Sequence, residues 1–302
     1  CAWADRGTRI EAPFEPALDL GLHVRSRGFA NMPSLGRRVL LGDSNWDDEV
    51  IATADEPARA AVLFADDARG AVLRLNATSI AFEVLDDRVV THVMLPDVDS
   101  VIQALAHAAR VAALVAVARR AVPVAEPLEA LAAPLRAFAR EHHLGLEESP
   151  LHLRGELRSV RLAARFVRTG RSEFDLDVRA VPLDVPPGFG LAVRRESALD
   201  RVRTFFGGQD LETRDPLFDP AFLVRSDDVE RALSALDGDV RALLLDLGAR
   251  FDQLALDGAV LAARTPATRI RPGDLIMLLE ATCTVSERVA RAATALSRGP
   301  YR

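Results

Sequence analysis

Lysine is absent from these 302 residues: all 38 basic side chains are arginine. That excludes any chemistry built on a lysine Schiff base. Together with heavy Ala, Val, Leu and Asp usage, it reads as the base composition of a GC-rich bacterial genome. Aromatics make up 5%, Tyr occurs once, and the net charge is −6 with the acids scattered along the chain. A nucleic-acid face needs clustered cations and stacking rings, so nucleic acid is not an expected partner. Only two cysteines occur, Cys1 and Cys283, which is too few for a disulfide framework or a cysteine metal site. Cys283, in "LLEATCTV", falls in a helical apolar pattern and is expected to be a buried, inert thiol. For Cys1 two readings stand: the chain is a fragment of something longer, or Cys1 is the lipidated first residue of a lipoprotein.

Catalytic signatures are equally scarce. "FFGGQD" at 205–210 has two glycines, but no G-x-x-x-x-G-K or G-x-G-x-x-G frame exists to cradle phosphates. There is no G-x-S-x-G elbow and no cysteine–histidine set. Glu141, His142, His143, Glu147, Glu148 and His152 lie close in sequence, yet adjacent histidines on a helix point to different faces; a solvated helix end is expected. His23, His92 and His107 are isolated. No cofactor and no resident metal are therefore expected. The most apolar stretch, 101–124, carries Gln103, His107, Arg110, Arg119 and Arg120, so a core helix is expected there rather than a membrane span.

What is present is a soluble composition, 49% apolar and 27% charged, with length enough for two domains. The chain also repeats itself. "GDSNWDDEVIA" (42–52) and "RDPLFDPAFLV" (214–224) match at an offset of 172 residues. From Asp43 to Leu75 that offset runs without a gap, and nine of 33 positions are identical: Asp43, Asp47, Asp55, Arg59, Ala60, Asp67, Arg69, Leu73 and Leu75. "GLHVRS" (21–26) matches "GLAVRR" (190–195), and "FEVLDDRVV" matches "LALDGAVL". A duplicated domain follows.

Copy two gives the order of elements. Alternating runs around Gly155 predict a hairpin, "FDLDVRAVPL" and "LAVRR" further strands, "DDVERALSAL" and "DVRALLLDL" short helices. "DG" between "DQLAL" and "AVLAAR" predicts a tight hairpin, and a last helix is expected from Gly273 to Leu296 after Pro272. The fold class is α+β: two tandem modules, each a largely antiparallel sheet with packed helices. The expected boundaries are 1–122 for the first module, 123–149 for a linker with an amphipathic helix ending at Gly145, and 150–302 for the second. Copy one has no counterpart of the first hairpin.

Four of the nine shared positions are Asp. Asp55/Asp227 and Asp67/Asp239 are expected to cap the two short helices, with Arg69 and Arg241 orienting the second pair. Asp43/Asp47 and Asp215/Asp219 flank an aromatic, Trp46 or Phe218, ahead of an apolar strand. Such a corner satisfies turn N–H groups while the ring plugs the core. A fold-forming corner must recur in every copy, so no catalytic, cofactor-binding or metal-binding residue is assigned.

"RDPLFDPAFLVRSDD", after "GLAVRR" and before "DVRALLLDL", resembles a D-P-x-F-D pattern in uncharacterised membrane-associated proteins of GC-rich bacteria. The resemblance covers copy two, 150–298; copy one departs from it at Ser44 and Trp46. The family has no activity to carry over. The expected function is a non-catalytic interaction or scaffold module of a larger bacterial assembly, not an enzyme, with a protein partner or self-association. Any membrane attachment would come through sequence outside this chain or a lipidated Cys1. Two alternatives remain open: a metal-assisted hydrolase using Asp215 and Asp219, and a module binding a small apolar ligand between the copies.

Overall fold

The computed structural model describes residues 7–15, 17–29, 36–94, 98–170, 172–185, 188–195 and 211–297. Cys1 and the glycines of 205–210 lie outside the described residues. Two compact units divide the chain: residues 1–125 with 147–150, and residues 126–146 with 151–302; the strand over 145–148 straddles that division and is described with the eight-stranded sheet it joins.

The first unit runs β1 (Gly7–Pro13), β2 (His23–Ser26), β3 (Arg37–Arg38), α1 (Ser44–Glu49), β4 (Val50–Ala54), α2 (Pro57–Ala61), α3 (Asp66–Thr78), β5 (Ala81–Leu85), β6 (Arg88–Met94) and α4 (Val98–Ala118). Its six strands form an antiparallel sheet in the order β1-β6-β5-β2-β4-β3. Helix α4 lies on β1 and β6 and packs against α3. With the short helix that follows it, α4 is the one described helix long and apolar enough to cross a bilayer. Here it buries Ala104, Ala108, Val111, Ala112 and Val115 in the unit's core.

The second unit runs α5 (Glu129–Glu141), β7 (Gly145–Glu148), β8 (Leu151–Leu157), β9 (Val160–Arg168), β10 (Phe174–Pro182), β11 (Leu191–Arg195), β12 (Phe222–Ser226), α6 (Val229–Ala235), α7 (Gly238–Arg250), β13 (Gln253–Asp257), β14 (Val260–Pro266) and α8 (Pro272–Ser297). The order of its eight-stranded sheet is β12-β11-β13-β14-β10-β9-β8-β7. Alternation sets which face is inside: Val160, Leu162, Ala164 and Phe166 of β9 are buried, while Arg161 and Arg165 between them are exposed. Helix α8 covers the inner face over β9, β10 and β14.

The duplication is written in the topology. Read inward from β4, the first sheet is β4-β2-β5-β6-β1; from β12, the second is β12-β11-β13-β14-β10. Chain order matches as well, strand for strand, with two short helices after the third strand and a long helix last. β1 is thus the counterpart of β10, a strand the sequence did not reveal. The second unit adds α5 and β7–β9, for which the first has no equivalent.

Several local expectations need correction. The hairpin in 151–168 turns at Arg158, held at φ 58°, and not at Gly155, which lies inside β8. Gly155 is there because Leu144 packs against its backbone, leaving no room for a Cβ. The amphipathic helix ends at Glu141, not Gly145: His143 takes the left-handed conformation (φ 55°) and Leu144 N–H donates to the Ala139 carbonyl at 2.8 Å. Gly145 opens β7 instead. Helix α5 belongs to the second unit, packed on α8.

Candidate functional site

The shared Asp residues assemble the same corner in both units. In the first, Asp43 caps α1, its Oδ1 accepting from Trp46 N–H at 3.2 Å. One turn on, Asp47 reaches back to accept from Leu41 N–H at 3.3 Å and Gly42 N–H at 3.1 Å. In the second, Asp215 Oδ1 accepts from Leu217 N–H at 3.0 Å and Phe218 N–H at 3.2 Å. Asp219 accepts from Thr213 N–H at 3.0 Å and from the Thr213 hydroxyl at 2.7 Å. Leu41 and Thr213 stand 172 residues apart, as do Trp46 and Phe218, so one N–H bond to each carboxylate recurs at the same position in both copies, while the additional bonds differ.

Between the two carboxylates the aromatic ring turns inward. Trp46 and Phe218 are both fully buried, Trp46 against Phe64 and Phe218 stacked on Phe222. The backbone before each corner needs a left-handed residue: Gly42 at φ 71° in one copy, Arg214 at φ 62° in the other.

A long-range partner closes each corner. Arg69 Nη1 of α3 lies 3.2 Å from Asp43 Oδ2, and Arg241 Nε of α7 lies 2.9 Å from Asp215 Oδ2. Bonding to Arg241, then to the Leu217 and Phe218 N–H groups, holds the Asp215 carboxyl below the usual carboxylate range. Arg69 and Arg241 therefore hold the corner, not Asp67 and Asp239 as their spacing suggested.

The capping expectations are corrected too. Helix α6 is capped by Asp228, which accepts from Arg231 N–H at 3.0 Å, and α7 by Asp237, which accepts from Val240 N–H at 2.8 Å. Their first-copy counterparts, Glu56 and Ala65, make no side-chain cap bond. Asp55 and Asp227 stand elsewhere: each carboxyl packs on a glycine, Gly21 or Gly190, so closely that a Cβ there would push it aside. Asp67 is exposed, and Asp239 pairs with Arg288 at 2.7 Å. Arg59 and Arg231 each pair with the acid three residues before, Glu56 and Asp228.

Sequence reasoning missed Asp86, whose carboxylate gathers the N–H groups of Leu20, Gly21 and Leu22 at 3.2, 2.9 and 3.0 Å. This clamp fixes the loop before β2. Three successive N–H groups on one carboxylate come from loop geometry alone, and the only local signal is Gly21.

Elsewhere, His23 bonds Glu83 across neighbouring strands at 2.9 Å, and His142 packs edge-on against Phe138. Cys283 is buried, and burial pushes its thiol up to about 12, so it carries no thiolate near neutrality. Among the described residues, no three His, Cys, Asp or Glu side chains converge as a metal site would require. A hollow of about 660 Å³ lies on the outer face of β11–β14, with Ala192, Ala255 and Ala262 below Arg194, Arg225, Arg264 and Asp177. Among the described residues, neither Asp215 nor Asp219 lines it, and the lining has no hydroxyl, thiol or imidazole. No protein-family model matches the chain, and comparison with curated proteins gives no match.

Proposed function

We propose that the chain is a non-catalytic interaction unit of a larger bacterial assembly. One observation carries the reading. In both copies Asp43 or Asp215 is held by backbone N–H on one side and an arginine on the other, and Asp47 or Asp219 accepts backbone N–H from the residues just before the corner. A general acid or base must be able to exchange a proton with a substrate, and a cation ligand must offer a free oxygen in a converging set. The corner oxygens instead fasten a turn to a helix. The resemblance of "RDPLFDPAFLVRSDD" to membrane-associated proteins of unknown function supports placing that assembly at a membrane.

The test is thermal unfolding of the wild type, Asp215→Asn and Asp219→Asn, each with and without Mg2+, Ca2+, Mn2+ or Zn2+. The expected result is a wild type indifferent to every metal and variants that melt several degrees lower. A metal that raises the wild-type midpoint, with the gain lost in the variants, would overturn the reading in favour of a cation site.

A further inference from the structure

The second unit shows what its sheet and long helix need beyond the shared module. There the outer edge of β10 is taken by β9, and α8 packs on α5 and β9, elements without counterpart in the first unit. In the first unit, among the described residues, no strand pairs with the other edge of β1. Helix α4 leaves Val98, Ile102 and Leu105 71, 57 and 49% exposed. Aligning the long helices by their buried positions sets Ala108, Val111 and Val115 on Thr282, Val285 and Val289. Leu105 and Ala109 then match Leu279 and Cys283, which are 0% and 1% exposed. Around Leu105 and Ala109 the helix face is core in one copy and exposed in the other.

We propose that a second copy of this chain covers it, with β1 pairing antiparallel to the partner's β1 and α4 packing antiparallel to the partner's α4 about one two-fold axis. The inference rests on the interaction-unit reading and supplies its partner.

Charge fixes the strand register. Phe14 N–H donates to the Asp87 carbonyl, so in the β1–β6 register Thr8, Ile10 and Ala12 bond to β6. The N–H and C=O groups of Arg9 and Glu11 therefore point to the open edge. A two-fold axis at Ile10 sets Arg9 opposite the partner's Glu11, twice over. The neighbouring allowed registers would set Arg9 against itself or Glu11 against itself, which is unfavourable. Pro13, lacking an N–H, falls opposite Gly7 at each end of the ladder, where one bond per end is forgone.

The helix register arrives at the same axis independently. Ala104 shares a buried cluster with Ile10 and Val93, so an axis through Ile10 crosses α4 near Ala104 and Leu105. Antiparallel packing about that point sets exposed Asp99 against the partner's exposed Arg110. It also sets the large half of the stripe, Val98, Ile102 and Leu105, against the small half, Ala106, Ala109 and Ala113, so that large side chains meet small ones. Helix α4 touches both β1 and β6. With strands about 4.8 Å apart, a helix riding between them stands about 10 Å from its symmetry mate, the spacing of packed helices. An isologous contact of this kind closes on itself as a dimer.

Sedimentation equilibrium of the full chain tests this, with Leu105→Arg, Arg9→Glu, Glu11→Arg and the double exchange Arg9→Glu/Glu11→Arg. The expected result is a dimeric wild type, a monomeric Leu105→Arg, single reversals that each weaken the dimer by about tenfold or more, and a double exchange that restores it. The charge variants sit on an exposed edge, so they keep the test decisive even if Leu105→Arg folds poorly. A wild type that stays monomeric at about 100 µM overturns the dimer, whether the face then belongs to another protein's helix or to a bilayer. So does a dimer indifferent to all four variants. Either failure leaves the interaction-unit reading to be decided by the metal melts.

Discussion

Arg241 Nε lies 2.9 Å from Asp215 Oδ2, and at the matching place in the other copy Arg69 Nη1 lies 3.2 Å from Asp43 Oδ2. Arg241 also donates Nη1–H to the Leu236 carbonyl at 2.6 Å, so one guanidinium ties the corner, the end of α6 and α7 together. Because the pair favours the ionised carboxyl, Asp215 titrates below its ordinary value of 3.8. Its contribution is complete above that value, where folded and unfolded forms are both ionised, and fades as pH falls through the depressed folded value. Asp215→Asn should therefore lower the unfolding midpoint at neutral pH. The gap from the wild type should shrink in acid, as midpoints measured across a pH series would show.

Arg214 carries a left-handed backbone that its counterpart Gly42 adopts without strain. A side chain there costs about 1–2 kcal/mol, partly offset because glycine loses more entropy on folding. Arg214→Gly should stabilise the chain by up to about 1 kcal/mol, and Gly42→Ala should destabilise it by a similar amount. Nothing lies within 4 Å of the Cβ that Gly42→Ala would add, so denaturant midpoints would report the backbone term alone.

Gly190 faces the Asp227 carboxyl, and a Cβ there would lie 2.5 Å from Oδ1. Gly190→Ala should destabilise by what it costs the Asp227 side chain to swing aside, and less so in an Asp227→Ala background, where the clash is gone. Equilibrium unfolding of the two single variants and the double would show the non-additivity.

Trp46 is fully buried, yet among the described residues its indole N–H has no hydrogen-bond partner. Trp46→Phe installs the ring that the other copy uses and removes the stranded donor, which offsets lost contact area. It should cost less than about 1.5 kcal/mol, against about 3–5 kcal/mol for Trp46→Ala, by chemical denaturation.

The α+β class and the duplication were legible in the sequence because they rest on period and offset. Alternation in "VRLAARFVR" marks β9, and a constant 172-residue shift aligns Asp43 with Asp215. Caps were misplaced by one or two residues because acids come in runs. In "SDDVE" and "LDGDV", only chain direction at the helix start decides whether Asp227 or Asp228, Asp237 or Asp239, reaches the N–H groups. The arginine of the corner was misassigned for a different reason. Arg241 stands two residues from Asp239 and 26 from Asp215, and folding brings the distant one within reach. Left-handed Arg158 and His143 carry no glycine to announce them, which is why both turns were drawn at the nearest glycine instead.

The account stands or falls on the corner doing the same structural work twice. A double-mutant cycle in unfolding stability on Asp215→Asn and Arg241→Gln, repeated on Asp43→Asn and Arg69→Gln, measures that directly. The account predicts strong non-additivity of the same sign in both cycles, each second substitution costing little once its partner is gone. Additive effects, or coupling in one copy only, would contradict it and return the uncoupled Asp to the search for chemistry.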